Sequence, residues 1–383
     1  MFTNVLYFPF LMVSALIYWL LPKRGLRTGF LSLCSLAFIW HFDPKALYVV
    51  LALTLFTYGM ALLMVRSQRQ QLYHSIGLLG LLLVLIAFKY LGFLTETVNG
   101  LTSFVSSLPQ FEIEKLFLPL GLSYIIFKYI SYLTDIMWGI VKPGRFIDFL
   151  CYGSLFTTFV AGPIERFERL KPQLESPRDR FQVNHLEVAF FRIVIGLFKK
   201  LVIADWMGYF INPIWQHPSE YSAIIRVAAL FGYSMQIYFD FSGYSDIAIG
   251  SSRLFGLTIM ENFNNPYFAP NISQFWRRWH ISLSDWIRDY LFFPLSQGRS
   301  SKLWLTLFVP VIAMGLCGLW HGAAWHYMIW GVWHGIGIAI YQYWNQYKRA
   351  HKKRMGWTKA KWANNLGILM TFVYVTIGWW WFR

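Results

Sequence analysis

The stretch from 232 to 297 combines membrane-like hydrophobicity with side chains that could do chemistry. Its first part is apolar enough to enter a bilayer, yet it contains Asp240, Ser242, Tyr244 and Asp246. On a helix, Asp240 lies one turn from Tyr244, and Ser242 lies one turn from Asp246. A carboxylate at membrane depth is costly unless it is paired, so it normally faces a bundle interior or an aqueous path. Two interpretations stay open: a polar knot between helices, bonded to Tyr244 or to later arginines, or a substrate-binding cluster.

Two arginines flanked by tryptophans follow, in the run Trp276, Arg277, Arg278 and Trp279, and His280 comes directly after them. Guanidinium groups reach lipid phosphates and indoles lie at headgroup depth, so this run is typical of a bilayer interface. Anchoring in the interface explains the tryptophans, while substrate contacts by Trp276, Arg277 and Arg278 stay open. Anchoring does not explain His280, which is therefore a candidate functional residue.

His321 lies between two apolar segments and is followed by Gly322, a pattern that predicts a tight turn or a helix break. Imidazole exchanges protons near neutrality, and its neutral form is the one that a general base needs. On spacing alone, a helix-end histidine bonded to a free backbone carbonyl is the more frequent arrangement. His326 and His334 follow, but their spacing does not match HExxH and no acidic residue lies nearby, so no metal site is predicted.

Other kinds of chemistry lose support because their motifs are missing from the sequence. It contains no Walker A motif, no GxGxxG after a strand and no GxSxG elbow, which disfavours ATP hydrolysis, dinucleotide redox chemistry and serine acyl-enzyme catalysis. Cys34, Cys151 and Cys317 lie far apart in apolar stretches without a CxxC pair. They predict neither a disulfide framework nor a zinc site.

The composition identifies the environment in which this chemistry would take place. Of 383 residues, 56% are hydrophobic and 14% are charged, whereas soluble domains are about 25% charged. The net charge of +16 is concentrated in short loops between long apolar runs, which is the positive-inside pattern of membrane proteins. The partner predicted for this charge is therefore membrane lipid, and no nucleic acid is expected.

The elements that must position the polar residues are membrane helices. Crossing the hydrocarbon core takes about 20 mostly apolar residues, and the candidate segments are 5–22, 29–42, 45–65, 72–95, 116–138, 186–212, 222–248, 303–320, 323–346 and 364–382. Segment 147–162 is shorter and predicts a re-entrant element, and Ser282 with Asp285 fits a capping box that would start a further helix. We expect an all-α, polytopic membrane protein with about 10–11 membrane helices plus re-entrant segments. The polar residues would belong to a single domain over 1–383, which ends directly after a span, as a fragment would.

Several motifs resemble one family of membrane enzymes. They are FLPLGLSYIIFKYISYLTDI (117–136), VAGPIERF (160–167), GLFKKLVIAD (196–205), the 232–297 stretch and GLWHGAAWHYMIWGVWHG (318–335). Together and in this order they resemble the membrane-bound O-acyltransferase (MBOAT) family, in particular the branch that contains bacterial alginate O-acetyltransferases. The resemblance implies the MBOAT fold, a ring of tilted helices around a thinned centre with a tunnel that reaches an invariant histidine. His321 matches that histidine, which the family requires for acyl transfer, and His280 matches a second polar position.

The resemblance also implies substrates, partners and location. We expect a protein of the cytoplasmic (inner) membrane that binds no cofactor and uses an acyl thioester, acetyl-CoA or an acyl carrier, as co-substrate. The acyl group, with acetyl preferred, would pass to a hydroxyl of an exported polysaccharide such as alginate, or to a periplasmic or extracytoplasmic acyltransferase or acyl-acceptor protein.

Two alternatives remain at this stage. One is D-alanyl transfer to teichoic acid-type polymers. The other belongs to a different class, a transporter or flippase, for which Asp240 and Asp246 would suit a proton relay. Against transport, the chain contains no pair of similar halves of the kind that many transporters show.

Overall fold

The regular elements of the chain are helices. The structure, a computed structural model, describes residues 4–102, 117–175, 182–296, 303–351 and 355–383. Within these ranges the only β contact is a single bridge between Phe263 and Trp279, so the all-α prediction is confirmed. In chain order the helices are α1 Tyr7–Leu20, α2 Arg24–Phe42, α3 Pro44–Arg66, α4 Gln70–Leu85, α5 Leu91–Thr102, α6 Leu122–Met137, α7 Phe146–Ser154, α8 Phe167–Glu175, α9 Val183–Leu197, α10 Asp205–Gln216, α11 Ala223–Leu254, α12 Ile272–Trp276, α13 Ile281–Ile287, α14 Phe293–Ser296, α15 Leu303–His321, α16 Trp325–Ala350 and α17 Lys361–Phe382.

The most apolar helices indicate an integral membrane protein. In the described part of the chain, three helical stretches are long and apolar enough to cross a bilayer: Pro44–Arg66, Gln70–Thr102 and Lys361–Phe382. Tyr7–Leu20 and Leu307–His321 are shorter apolar helices. The larger number of spans that the sequence suggests stays a prediction.

Some helices extend beyond the apolar segments that predict them, whereas α1 and α6 are shorter than the segments 5–22 and 116–138. The segment 29–42 belongs to α2, which begins at Arg24. The segment 72–95 lies in α4 and α5, which together form one continuous helical stretch of 33 residues, Gln70–Thr102. A hydropathy pattern predicts only the part of a helix that is apolar enough to lie in the hydrocarbon core of the bilayer, and not its polar ends. Polar residues continue α2 because they find partners: Arg24 Nε donates to the Leu174 carbonyl at 2.8 Å. The short segment 147–162 contains only α7, whose nine residues span about 13 Å and are too few to cross a bilayer.

The chain forms two compact units. The first comprises Met1–Ile193 with Ala248–Met260, and the second comprises Val194–Ile247 with Glu261–Arg383. In the first unit the VAGPIERF motif is anchored by Glu165, whose side chain is fully buried. Its carboxylate accepts hydrogen bonds from the Met260 amide at 2.9 Å and from Arg169 Nε at 3.0 Å. The second unit contains every candidate site residue, so its helices must position the chemistry.

Candidate active site

His321 is positioned by the closely packed hairpin of α15 and α16. It is the last residue of α15, and α16 begins four residues later at Trp325. The two helices approach closely because glycines face the opposing backbone. A Cβ added at Gly331 would overlap the Met314 carbonyl oxygen, and one at Gly318 would overlap that of Tyr327. The predicted helix break at His321 is therefore confirmed.

His280 lies beside His321. The centroids of the two imidazole rings are 6.4 Å apart, and His280 is 1% exposed. Its ring packs edge-to-face against Phe241 of α11, with centroids 4.6 Å apart. The structure thus brings together the two histidines that the sequence singled out, and one buried ring nitrogen of His280, Nε2, has no hydrogen-bond partner among the described residues.

The backbone at His280 differs from the predicted capping box. His280 itself is the N-cap residue of α13, in the left-handed conformation and without a side-chain cap bond. Ser282 lies inside the helix and donates its hydroxyl to Asn262 Oδ1 at 2.6 Å, so the predicted Ser282–Asp285 capping box is wrong. Because the buried Asn262 accepts that hydroxyl, Ser282 is not available to cap the helix. The Asn262 side chain also donates a hydrogen bond to Ser245 of α11 at 3.2 Å. Asn262, which the sequence analysis did not single out, therefore ties the start of α13 to α11.

The two acidic residues of α11 are in ion pairs. Lys199 Nζ lies 2.6 Å from Asp246 Oδ2, and Lys200 Nζ lies 2.6 Å from Asp240 Oδ1. Both lysines belong to the π-helical turn Phe198–Ala204. The charged partners are thus lysines, and not the later arginines that the sequence suggested. The sequence signal for this pairing was the two adjacent lysines within an apolar stretch, since a cation in such a stretch also needs a partner.

Ser242 and Tyr244 are the other two candidates on α11. Ser242 is 2% exposed, and its hydroxyl has no hydrogen-bond partner among the described residues. Tyr244 is partly buried on the same helix. Substrate contacts by Asp240, Ser242, Tyr244 and Asp246 stay a prediction.

The Trp-Arg-Arg run separates into three environments. Trp276 is 6% exposed and packs against Trp330, whose ring in turn contacts His321. Arg278 donates to the Phe268 carbonyl at 3.3 Å and to Gln274 at 3.4 Å, which makes it part of the loop structure. Arg277 is exposed and lines a cavity.

That cavity has a volume of about 270 Å³ and an amphipathic lining. Its polar lining includes Ser273, Arg277, Ser284, Asp285 and Arg288, and its apolar lining includes Phe292, Phe293, Pro310, Ala313, Met314 and Ile338. The guanidinium of Arg288 is already paired with Asp285 at 2.6 Å and Asp289 at 2.9 Å. Arg277 is therefore the cation best placed to meet an anionic ligand there.

His326 and His334 have surroundings of their own. His326 Nδ1 lies 2.8 Å from the Trp381 carbonyl oxygen, which links the start of α16 to the end of α17. His334 is fully buried, with its ring against Trp276 and Trp330. In the described ranges no three His, Cys, Asp or Glu side chains are grouped so that they could hold a metal.

Comparison with known proteins assigns the chain to a family. The family model described as MBOAT, membrane-bound O-acyltransferase family, matches residues 36–377. The chain belongs to the membrane-bound O-acyltransferase family. It is 37% identical to "Probable alginate O-acetylase AlgI" of Azotobacter vinelandii, over 88% of this chain and 68% of that protein. It is also 31% identical to the "Peptidoglycan O-acetyltransferase" of Helicobacter pylori, over 100% of this chain and 76% of that protein.

A third relative is named for the transfer of a different acyl group. The chain is 31% identical to the "Teichoic acid D-alanyltransferase" of Bacillus subtilis, over 91% of this chain and 88% of that protein. Membership of the membrane-bound O-acyltransferase family, with relatives named as acetyl- and alanyltransferases, makes the protein a membrane O-acyltransferase. The predicted family resemblance and enzyme class are thus confirmed.

Proposed function

We propose that this protein transfers an acyl group, acetyl in the favoured case, from a cytoplasmic thioester to a hydroxyl. The acceptor is an exported polysaccharide or an intermediate acyl-carrying partner protein. The observation that carries the proposal is the pair His321 and His280, with ring centroids 6.4 Å apart at the start of the α15–α16 turn. Acetyl is favoured because relatives are named as an alginate O-acetylase and a peptidoglycan O-acetyltransferase. The protein would cross the cytoplasmic (inner) membrane several times.

The reaction is direct transfer with His321 as general base. Its imidazole takes the hydroxyl proton as the alcohol oxygen attacks the thioester carbonyl. When the tetrahedral intermediate collapses, the C–O ester bond remains, the C–S bond breaks, and the imidazolium returns the proton to the leaving thiolate. Positioned proton transfer of this kind contributes about 10²–10⁴ in rate. Holding donor and acceptor together adds further acceleration, because no bimolecular encounter is then needed.

His280 stabilises the negative charge that develops on the thioester carbonyl oxygen. Its Nε2 has no hydrogen-bond partner among the described residues, so in the tautomer that carries a proton there it can donate to the carbonyl oxygen as that oxygen becomes an oxyanion. A donor that is fixed before the reaction begins is effective because it needs no reorganisation. The left-handed backbone at His280 and the hydrogen bonds of Asn262 provide this fixed position.

The amphipathic cavity is the candidate site for the donor. Its lining residues Pro310–Met314 precede His321 on α15 by 7 to 11 residues, a rise of about 10–16 Å along a helix. An extended pantetheine arm bridges such a distance, with its phosphate end at Arg277 and its thioester near His321. Trp276 lines the same cavity and lies next to Trp330, which supports the predicted substrate role of this run.

Arg277→Gln tests the donor site. Because Arg277 would bind the donor equally in the ground state and the transition state, we expect a higher KM for the thioester with little change in kcat. Steady-state kinetics at varied donor concentration measure both quantities. Arg226→Gln, on an exposed residue of α11, is the matched control and should leave KM unchanged. An unchanged KM in Arg277→Gln would remove Arg277 from the donor site.

D-alanyl transfer is the second candidate, and the teichoic acid D-alanyltransferase of Bacillus subtilis supports it. The same two histidines would serve either acyl group, because both reactions transfer an acyl group from a thioester to a hydroxyl. Supplying acetyl and D-alanyl thioesters in parallel distinguishes the two.

Reconstitution tests the proposed function itself. Purified protein in liposomes receives a labelled acetyl or D-alanyl thioester outside and an oligosaccharide acceptor inside, in both protein orientations. We expect release of free thiol together with a labelled ester on the acceptor. Movement of an unmodified substrate across the bilayer without ester formation would instead favour the transporter alternative.

A further inference from the structure

Three aromatic rings surround the imidazole of His321. The ring centroid of Trp320 lies 4.9 Å from that of His321, and those of Trp330 and Phe382 each lie 5.1 Å away. The three residues come from α15, α16 and α17 respectively, so the arrangement depends on the folded second unit. We call Trp320, Trp330 and Phe382 the aromatic box.

Each ring of the aromatic box meets His321 edge to face. The interplanar angles are 74° for Trp320, 88° for Trp330 and 77° for Phe382. All three centroids lie within about 6 Å of the imidazole, the distance at which a cation over the face of an aromatic ring is attracted by the ring quadrupole, and the near-perpendicular planes are compatible with an imidazole edge directed at each ring face. The attraction is weak for a neutral imidazole and becomes substantial once the imidazole carries a positive charge.

The aromatic box is held in place from behind. Trp330 is 1% exposed and stacks on Trp379, with centroids 5.8 Å apart and planes 22° apart. The buried His334 packs against its other flank at 5.0 Å. His334 is itself packed closely against α17, since a Cβ at Gly378 would lie 2.8 Å from His334 Nε2. Trp330 therefore cannot move away from His321 without disturbing the whole cluster.

We propose that the aromatic box stabilises the protonated form of His321 that arises during acyl transfer. This inference rests on the proposed function, in which His321 accepts the hydroxyl proton and later returns it to the leaving thiolate. The rings exchange no protons themselves; they lower the energy of the imidazolium while it exists. Since that charge is absent in the ground state, the aromatic box accelerates the chemical step without tightening substrate binding.

Fluorination of Phe382 tests the proposal with little change in shape. Phenylalanine with one, two, three and five ring fluorines is incorporated at position 382 of the full chain, and each fluorine weakens the negative face of the ring. We expect the single-turnover transfer rate to fall stepwise along the series, by about three- to thirtyfold in total, with KM unchanged. A purely structural role for Phe382 would not give a rate that follows the electron density of the ring.

The control is the same fluorine series at Phe231 of α11, whose ring packs against Phe372. We expect no graded effect there. Equal rates across the series at position 382, or an equal decline at both positions, would overturn the role of the aromatic box. His321→Ala, measured in parallel, separates the role of the aromatic box from the general-base role of His321. If this variant abolishes transfer while the transfer rate does not change along the fluorine series at position 382, only the aromatic box is refuted. If the variant retains transfer, the general-base role of His321 is refuted, and the aromatic box with it.

Discussion

His280 combines a left-handed backbone with a buried imidazole. Its φ is 43°, a conformation that is uncommon for residues other than glycine, although asparagine, aspartate and histidine adopt it more often than most. The Ile281 amide, which donates to the Asn262 carbonyl at 2.9 Å, helps to hold it there. Strain of this kind persists only where the surroundings enforce it, and it clusters at functional sites.

Substitution by asparagine and by alanine separates the backbone of His280 from its side chain. Both variants lose the imidazole, so we expect transfer to fall by about 10²-fold in each. Asparagine tolerates the left-handed conformation, whereas for alanine this conformation costs about 1–2 kcal/mol. His280→Ala should therefore also unfold at a lower temperature than His280→Asn. Transfer rates and thermal unfolding in detergent measure the two effects. An alanine variant that transfers at the parental rate would exclude the imidazole from the chemistry.

At the scale of elements, the α15–α16 hairpin determines where His321 lies. Three glycines, Gly318, Gly331 and Gly335, face the backbone of the opposing helix, and each leaves no room for a Cβ. Gly315, in the same hairpin, is different: a Cβ there would meet its nearest atom, Val332 Cγ2, at 3.5 Å. The hairpin thus contains both a test position and its control.

Gly331→Ala should therefore separate the two helices. We expect a loss of about 1–3 kcal/mol in the free energy of unfolding and a large loss of transfer, because His321 moves relative to His280. Gly315→Ala should keep parental activity with equal or slightly higher stability, since alanine favours a helix by about 1 kcal/mol over glycine. Parental stability and activity in Gly331→Ala would show that the helices are less closely packed than described.

The ion pair between Lys199 and Asp246 connects the π-helical turn to α11. The Asp246 side chain is 7% exposed, so removal of one partner should leave a buried charge and cost about 3–5 kcal/mol. We expect Lys199→Met and Asp246→Leu each to lower the unfolding temperature, and the double variant to recover most of the loss. Thermal unfolding of all three variants measures this. A double variant less stable than either single one would contradict a simple pair, and a raised acceptor KM in it would reveal substrate binding by Asp246.

These elements also show how far the sequence could predict the structure. Apolar runs located the helices, and the glycine after His321 located the helix break. The start of α2 could not be predicted, because polar residues continue that helix through partners such as the Leu174 carbonyl. The pairing of Lys199 with Asp246 joins residues 47 apart, and no local pattern encodes such a contact.

At the scale of the whole molecule, composition and motifs were sufficient for the class of protein but not for the arrangement of the site. The low charge content and the five ordered motifs predicted an all-α membrane O-acyltransferase, which the family match confirms. The aromatic box could not be predicted, because no local pattern relates Trp330 or Phe382 to His321. Its members belong to three helices and face His321 only once these helices have packed.

Acyl transfer by the His321→Ala variant in purified membranes tests the central claim most directly. The matched control is His351→Ala, at an exposed histidine just after α16 whose ring stacks on Tyr347. With both variants present at parental levels, we predict that His351→Ala transfers label at the parental rate and that His321→Ala falls by at least about 10²-fold. Parental transfer by His321→Ala would contradict the account.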